Sequence, residues 1–184
     1  MKRKIYDSMQ KWKEENGRTA LLIDGARRVG KSYIAQEFAK KEYKSYILID
    51  FNRAPAEITD LFVHYLNDLN MFFLYLSNFY EVKLYERESL IIFDEVQLFP
   101  KARAAIKYLV EDGRYDYVET GSLMTIKKNV ADIVIPSEER HMKMYPLDFE
   151  EFLWAKGYDD TTIQNMLAHM KELRPFNELE MKVY

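Results

Sequence analysis

The segment Gly25–Ser32 reads GARRVGKS and has the G-x-x-x-x-G-K-[ST] spacing of a loop that binds nucleotide phosphates. Its two glycines let the backbone bend so that successive N–H groups point at phosphate oxygens, and a helix starting at Lys31 adds the positive end of its dipole. We expect Lys31 to act on the β- and γ-phosphates and the Ser32 hydroxyl to bind Mg²⁺. The predicted nucleotide-binding residues are Gly25, Ala26, Arg27, Arg28, Val29, Gly30, Lys31, Ser32 and Tyr33.

Two alternatives stay open for this loop. The motif could be an ordinary glycine-rich turn beside a surface lysine, although its position between an apolar run and a helical segment favours phosphate binding. Arg27 and Arg28 are either solvated side chains or contacts for a partner, and solvation is the more common outcome for surface charges.

An acidic pair, Asp94-Glu95, follows the apolar run Leu90–Phe93. Ligands of parallel α/β sheets gather at the carboxyl ends of the strands. We expect Asp94 to hold Mg²⁺ through water and Glu95 to act in catalysis by polarising an attacking water. The alternative is that both acids cap the next helix.

The acidic pair also separates classes of phosphate-loop protein. Asp94 is followed by Glu-Val-Gln, so the glycine expected a few residues after the aspartate of a GTPase is missing, as is an N-K-x-D motif. Small-molecule kinases usually lack an adjacent glutamate that activates water. The pattern therefore favours ATP hydrolysis.

A later strand ends in small polar residues, and Thr120 and Ser122 are candidate catalytic contacts to the γ-phosphate or the attacking water. Turn formation and helix capping explain them equally well. Asp50, at the end of another strand, is a weaker metal-side candidate. Gln97 is expected in the first turn after the acidic pair, close enough to contact water or a neighbour.

Arg140 is a further catalytic candidate, because a guanidinium near the γ-phosphate would stabilise charge in the transition state. The competing interpretation, which we favour slightly, is an exposed charge cluster with Glu138 and Glu139.

Short apolar runs alternate with helical patterns along the chain. This alternation predicts an α/β fold in which a parallel sheet is covered on both faces. The predicted strands are 19–24, 45–50, 90–93, 115–120 and 141–145, and the predicted helices are 3–15, 31–41, two within 55–83, 101–111, 149–156 and 161–173.

The amino-acid composition argues against several other kinds of site and partner. The 184 residues include no cysteine and three scattered histidines (His64, His141 and His169), which argues against disulfides, thiol catalysis and a zinc site. A net charge of -3 does not favour general nucleic-acid binding. Without a signal-peptide pattern or an apolar run that could span a bilayer, the sequence predicts a cytoplasmic protein with no membrane partner.

Several segments together resemble the AAA-like ATPases of bacteria and archaea that carry a restriction-endonuclease-like C-terminal domain. The matching pieces include LLIDGARRVGKS, LIIFDEVQLFPKARAAIKYL, TGSL and YPLDFEEFLWAKG. The resemblance implies a P-loop NTPase fold of three α/β/α layers, a five-stranded sheet in the order 5-1-4-3-2, ATP as the nucleotide, and an arginine position matching Arg140.

Such proteins look about twice as long as this chain. The resemblance therefore implies an ATPase core with an N-terminal helix over residues 1–158 and the beginning of a helical lid over 159–184. Three functions follow as hypotheses: an Mg²⁺-dependent ATP-hydrolysing switch or motor module, a nucleotide-binding interaction module without turnover, and an ATPase acting on nucleic acid. Besides ATP, a protein partner or a second copy of the chain stays open.

Overall fold

Five strands form one parallel sheet in the order β2-β3-β4-β1-β5. The computed structural model describes residues 2–122, 137–178 and 180–183. The strands are β1 (Ala20–Gly25), β2 (Ser45–Asp50), β3 (Ser89–Asp94), β4 (Asp116–Ser122) and β5 (Glu139–Met144). This order confirms the one that the family resemblance implied, with β4 between the loop strand and the acidic strand.

Helices connect the strands, and most predicted boundaries lie within two residues of the observed ones. They are α1 (Ile5–Lys13), α2 (Lys31–Glu42), α3 (Ala56–His64), α4 (Leu69–Tyr80), α5 (Pro100–Asp112), α6 (Phe149–Ala155), α7 (Asp160–Glu172) and α8 (Glu180–Val183), with a 3₁₀ helix at Val96–Leu98. Helix α1 is shorter than predicted, because the chain turns after Lys13 and Asn16 adopts a left-handed backbone. The two helices predicted within 55–83 are present and are separated by residues 65–68.

Apolar side chains of the sheet point alternately to its two faces, and each face is buried. One face packs with α1 and α2 around Leu21, Ile23 and Phe38, and the other packs with α3, α4 and α5 around Leu22, Phe93 and Tyr117. Alternating side-chain direction in a strand explains why neighbouring residues join different cores. The predicted three-layer α/β/α architecture is confirmed.

By internal contacts, the chain forms two units. One contains Ile5–Pro146 and holds the whole sheet, and the other combines the N-terminal residues up to Lys4 with the segment from Leu147 onward. The proposed division into a core over 1–158 and a lid beginning at 159 is a different kind of boundary, drawn from family resemblance, and stays a prediction.

The unit built from the two chain ends has its own core and ion pair. Leu153, Ile163 and Met166 pack together, while Arg3 Nε donates to Glu151 Oε1 at 3.1 Å, with both side chains buried. In the described part of the chain, no helix has the length and apolar character needed to cross a membrane.

Candidate functional site

The predicted phosphate loop joins the end of β1 to the start of α2. Gly30, with φ of 96°, directly precedes the helix, and Arg28 also has a left-handed backbone, with φ of 64°. The strand–loop–helix context that the motif requires is therefore present. Residues 26–30 form the bend, and residues 31–33 lie in the first turn of α2.

Gly25 has a packing role that the motif alone did not reveal. A Cβ atom at this position would lie 2.2 Å from the carbonyl oxygen of Met144 on β5. No side chain fits there without moving the backbone of the neighbouring strand, so close strand packing, and not a left-handed backbone, requires glycine at this position.

Lys31 is almost completely buried, and its ammonium lies within the loop. Its Nζ donates hydrogen bonds to the carbonyl oxygens of Ala26 at 2.8 Å and Gly25 at 3.3 Å. These are neutral acceptors, so the positive charge has no anionic partner among its described hydrogen bonds. A buried cation of this kind fits an anionic ligand at the loop.

Two motifs 62 residues apart meet at Asp94. Its Oδ1 accepts a hydrogen bond from the Ser32 hydroxyl at 2.6 Å and another from the Thr120 hydroxyl. These three side chains, with Glu95 and Gln97, are called the loop-end network below. A hydroxyl and a carboxylate held together are oxygen donors of the kind that Mg²⁺ prefers, so this donor set fits the ion.

Glu95 directly precedes the 3₁₀ helix and has a left-handed backbone, with φ of 55°. Its N–H donates to Thr120 Oγ1 at 3.2 Å, and its Oε2 accepts a hydrogen bond from the Gln97 amide. The Glu95 side chain makes no capping bond to the 3₁₀ helix, so capping does not account for this residue.

A cleft of about 460 Å³ opens in front of these residues. Arg27 and Arg28 of the loop line it together with Asp50, Asp94 and Glu95. No ion pair involving either arginine occurs among the described residues. Asp50 pairs with Asp94 in the register of β2 and β3, at the strand ends where we expected it.

Ser122 is the last residue of β4 and lies opposite Gly25 in the register of β1 and β4. It is buried beside the start of the loop. Thr120 and Ser122 therefore both lie near the predicted site, but only Thr120 has a hydrogen bond to the acidic pair.

Arg140 is not brought to the phosphate loop. It pairs with Leu21 in the register of β1 and β5, whereas Gly25 pairs with Met144, four residues further along. At about 3.3 Å per residue, this separation is about 13 Å along the sheet. Arg140 is exposed, as the alternative interpretation expected, but it is ion-paired with Glu15. Glu139 does not belong to an exposed cluster, because its side chain is buried against Arg103.

A second polar group, which the sequence did not lead us to expect, lies on the α5 side of the sheet. Arg103 donates to both carboxylate oxygens of Glu139, at 2.9 and 2.8 Å, and both side chains are almost completely buried. His141 Nε2 lies 2.5 Å from Glu139 Oε1, and its Nδ1 lies 4.0 Å from Asp24 Oδ2. With the fully buried Glu119, these residues are called the buried charge cluster below.

Two carboxyls of the buried charge cluster have raised pKa values. Burial raises the pKa of Glu119 well above its usual range, the Glu139 carboxylate raises it further, and Arg103 partly opposes this. Burial also raises the pKa of Asp24, opposed first by His141. The one sequence signal for this cluster was an acidic residue, Glu119, inside an apolar strand. No described group of three or more His, Asp or Glu side chains is placed to hold a metal ion.

Comparison with known protein families gives a match to this chain. The family model described as an AAA domain matches residues 17–153, which covers most of the chain and includes the loop, the acidic pair and Thr120. No curated protein matches the chain in sequence.

Two solved structures are similar in backbone path, at 10% sequence identity each. C. elegans PCH-2 has a TM-score of 0.45, with 89% of this chain and 46% of the PCH-2 chain covered. A chain from the structure of Drosophila ORC bound to AT-rich DNA and Cdc6 has a TM-score of 0.46, with 91% of this chain and 69% of that chain covered. This chain thus spans less than half the length of the PCH-2 chain.

Proposed function

The chain belongs to the AAA-domain family, whose members are nucleotide-binding ATPase modules, and from this premise we propose that it binds ATP with Mg²⁺ and hydrolyses it. The observation that carries the proposal is the hydrogen bond between Ser32 and Asp94. It joins the phosphate loop to the acidic pair, so that the nucleotide, the metal and the attacking water would share one end of the sheet.

The loop would hold the triphosphate. Backbone N–H groups of residues 25–32 and the Lys31 ammonium would bind the phosphate oxygens, while Ser32 and Asp94 would hold the ion. Mg²⁺ bound there would neutralise charge on the β- and γ-phosphates. The remaining chemistry belongs to the chain's own side chains.

Glu95 is the proposed general base. Its carboxylate lines the cleft beside Asp94 and would accept the proton of the attacking water. Thr120 forms hydrogen bonds with the Asp94 side chain and with the backbone N–H of Glu95. It would thus hold the proposed metal ligand, Asp94, and the proposed base, Glu95, at a fixed separation. Ser122 is a further proposed contact at the same strand end.

A nucleotide-binding module without turnover is the second candidate function, and the placement of Arg140 is the observation that favours it. If hydrolysis needs a guanidinium beyond Arg27 and Arg28 at the γ-phosphate, Arg140 cannot supply it within one chain, since it lies at the other end of the strands. A second copy or a protein partner would then complete the site. In either case we propose a switch or motor module that serves a larger assembly.

Substitution of Lys31 tests nucleotide binding. Lys31→Ala should weaken ATP binding by at least about 30-fold, because it removes a charged hydrogen-bond donor from a phosphate site. Isothermal calorimetry with Mg²⁺ measures the effect. Lys40→Ala, an exposed lysine on the same helix, is the matched control and should bind like the wild type. Equal affinity in both variants would refute the phosphate-loop assignment.

Substitution of Glu95 tests hydrolysis separately from binding. Glu95→Gln keeps the shape of the side chain but cannot accept a proton, so phosphate release should fall by about 100-fold or more while ATP affinity persists. Glu111→Gln, on the exposed surface of α5, is the control. Slow turnover in the wild type, indistinguishable from Glu95→Gln, would instead support the second candidate function.

A further inference from the structure

The backbone around the proposed base is held in an uncommon conformation. A left-handed backbone is unfavourable for a glutamate, so surrounding contacts must maintain it. At Glu95 the N–H donates to Thr120 Oγ1 at 3.2 Å, and the carbonyl oxygen accepts from the Leu98 N–H at 2.9 Å. Hydrogen bonds therefore hold both backbone groups of Glu95 in place, independently of its side chain.

The Glu95 side chain contacts Gln97, two positions later. Gln97 is buried in the 3₁₀ helix, and its amide Nε2 donates to Glu95 Oε2. Residues two apart on a regular helix do not face each other, so this contact depends on the local backbone at Glu95. In the described residues, Oε1 of Glu95 accepts no hydrogen bond.

An amide is suited to holding a catalytic base. It donates a hydrogen bond to a carboxylate without being able to protonate it at ordinary pH. With Oε2 held by Gln97, the Oε1 atom is the oxygen left to accept a proton from water. Both side chains line the same cleft of about 460 Å³ as Asp94, so the held base faces the metal side of the site.

We propose that Gln97 is a positioning residue that orients Glu95 for catalysis by donating to its Oε2 and leaving Oε1 for the attacking water. This inference rests on the proposed ATPase function. It assigns Gln97 to the rate of the chemical step and not to ATP affinity, because Gln97 donates its hydrogen bond to the proposed base, Glu95.

The test compares two substitutions of similar shape. Gln97→Met keeps the length of the side chain but removes the donor, and Gln97→Glu replaces the donor with a second carboxylate. Single-turnover hydrolysis should fall by about 10- to 100-fold in Gln97→Met, because misplacing a catalytic group by about 1 Å has effects of this size. The dissociation constant for Mg²⁺-ATP should stay within about threefold of the wild type, as a change confined to the base predicts.

The Gln97→Glu variant gives a signature that a purely structural role would not produce. Near neutral pH, Gln97→Glu should hydrolyse ATP more slowly than Gln97→Met, because the introduced carboxylate repels the Glu95 carboxylate and displaces it. On lowering the pH, its rate relative to the wild type should rise, because the introduced carboxyl regains a proton and can then donate a hydrogen bond to the Glu95 carboxylate. Gln164→Met, which removes an exposed glutamine that donates to Glu150, is the matched control and should leave both quantities unchanged.

Four outcomes would overturn the proposal. Wild-type turnover by Gln97→Met would remove the positioning role while leaving the ATPase function intact, and faster turnover would show that Gln97 restrains the base instead of orienting it. Equal loss of rate and affinity, with a lowered melting temperature, would show a structural role. An absence of hydrolysis in the wild type despite Lys31-dependent ATP binding would refute the ATPase function itself, and the positioning role with it.

Discussion

The loop-end network and the buried charge cluster each include one side chain of β4, at adjacent positions that face opposite sides of the sheet. Thr120 points toward α2 and reaches Asp94, whereas Glu119 points toward the α5 side, where Arg103 and Glu139 lie. Strand alternation alone separates the two regions.

Their exposure differs as well. The loop-end network lies at the strand ends and lines an open cleft, where its carboxylates can meet a metal ion, water and phosphate. In the buried charge cluster, the Arg103–Glu139 pair is covered, and Glu119 has no hydrogen bond to either oxygen in the described structure. We therefore propose that carboxylates serve catalysis where solvent and ligand can enter, and we expect buried carboxylates to affect stability instead.

The largest expected effect is on folding, from Arg103→Met. It leaves the buried Glu139 carboxylate without its bidentate partner, so the free energy of unfolding should fall by about 3–5 kcal/mol. Urea denaturation followed by circular dichroism measures the change. Lys107→Met, an exposed position on the same helix, should shift stability by no more than about 0.5 kcal/mol. Equal stability of the two variants would contradict the structural role of the cluster.

The second-largest expected effect is on ATP hydrolysis, from a substitution of the β4 residue that belongs to the loop-end network. Thr120→Val keeps the shape of the side chain but removes the hydroxyl that holds Asp94 and Glu95, so ATP hydrolysis should slow by about 10- to 100-fold. Phosphate release under saturating Mg²⁺-ATP is the measurement. Thr59→Val, which removes an exposed helical hydroxyl, is the control and should hydrolyse at the normal rate. An unaffected rate in Thr120→Val would assign Thr120 to packing alone.

The third effect concerns pH and the Glu119 carboxyl. Its folded-state pKa is raised, so the native state binds the proton more tightly than the unfolded chain does. This contribution to stability is fully present below the unfolded pKa and is lost as pH rises through the folded pKa. Within that interval the loss amounts to at most about 1.4 kcal/mol per pH unit.

Glu119→Gln isolates this contribution because it removes the titrating proton and keeps the shape. Denaturation midpoints measured from acid to neutral pH should fall more steeply with rising pH in the wild type than in the variant. Glu111→Gln, whose carboxyl is exposed, should follow the wild type. Parallel pH profiles for the wild type and Glu119→Gln would show that burial does not perturb this carboxyl.

Local sequence was enough for the elements and for most of the candidate site. The G-x-x-x-x-G-K-S spacing, the apolar runs and the acidic pair are short-range patterns, and each specifies a bend, a strand or a strand end without reference to distant residues. For that reason Lys31, Ser32, Asp94 and Glu95 could be chosen before their positions were known. The strand order came from resemblance to a family and agrees with the sheet.

Only the tertiary structure decided which distant residues meet. The contact of Ser32 with Asp94, the close approach of Met144 to Gly25 and the remoteness of Arg140 from the loop all depend on strand order and register. Gln97 was nearby in sequence, but its hydrogen bond depends on the left-handed backbone at Glu95. The burial of Glu119 depends on which helix covers its face of the sheet. Short-range pattern determined the kinds of chemistry that the chain could carry, and long-range packing determined which side chains share a site.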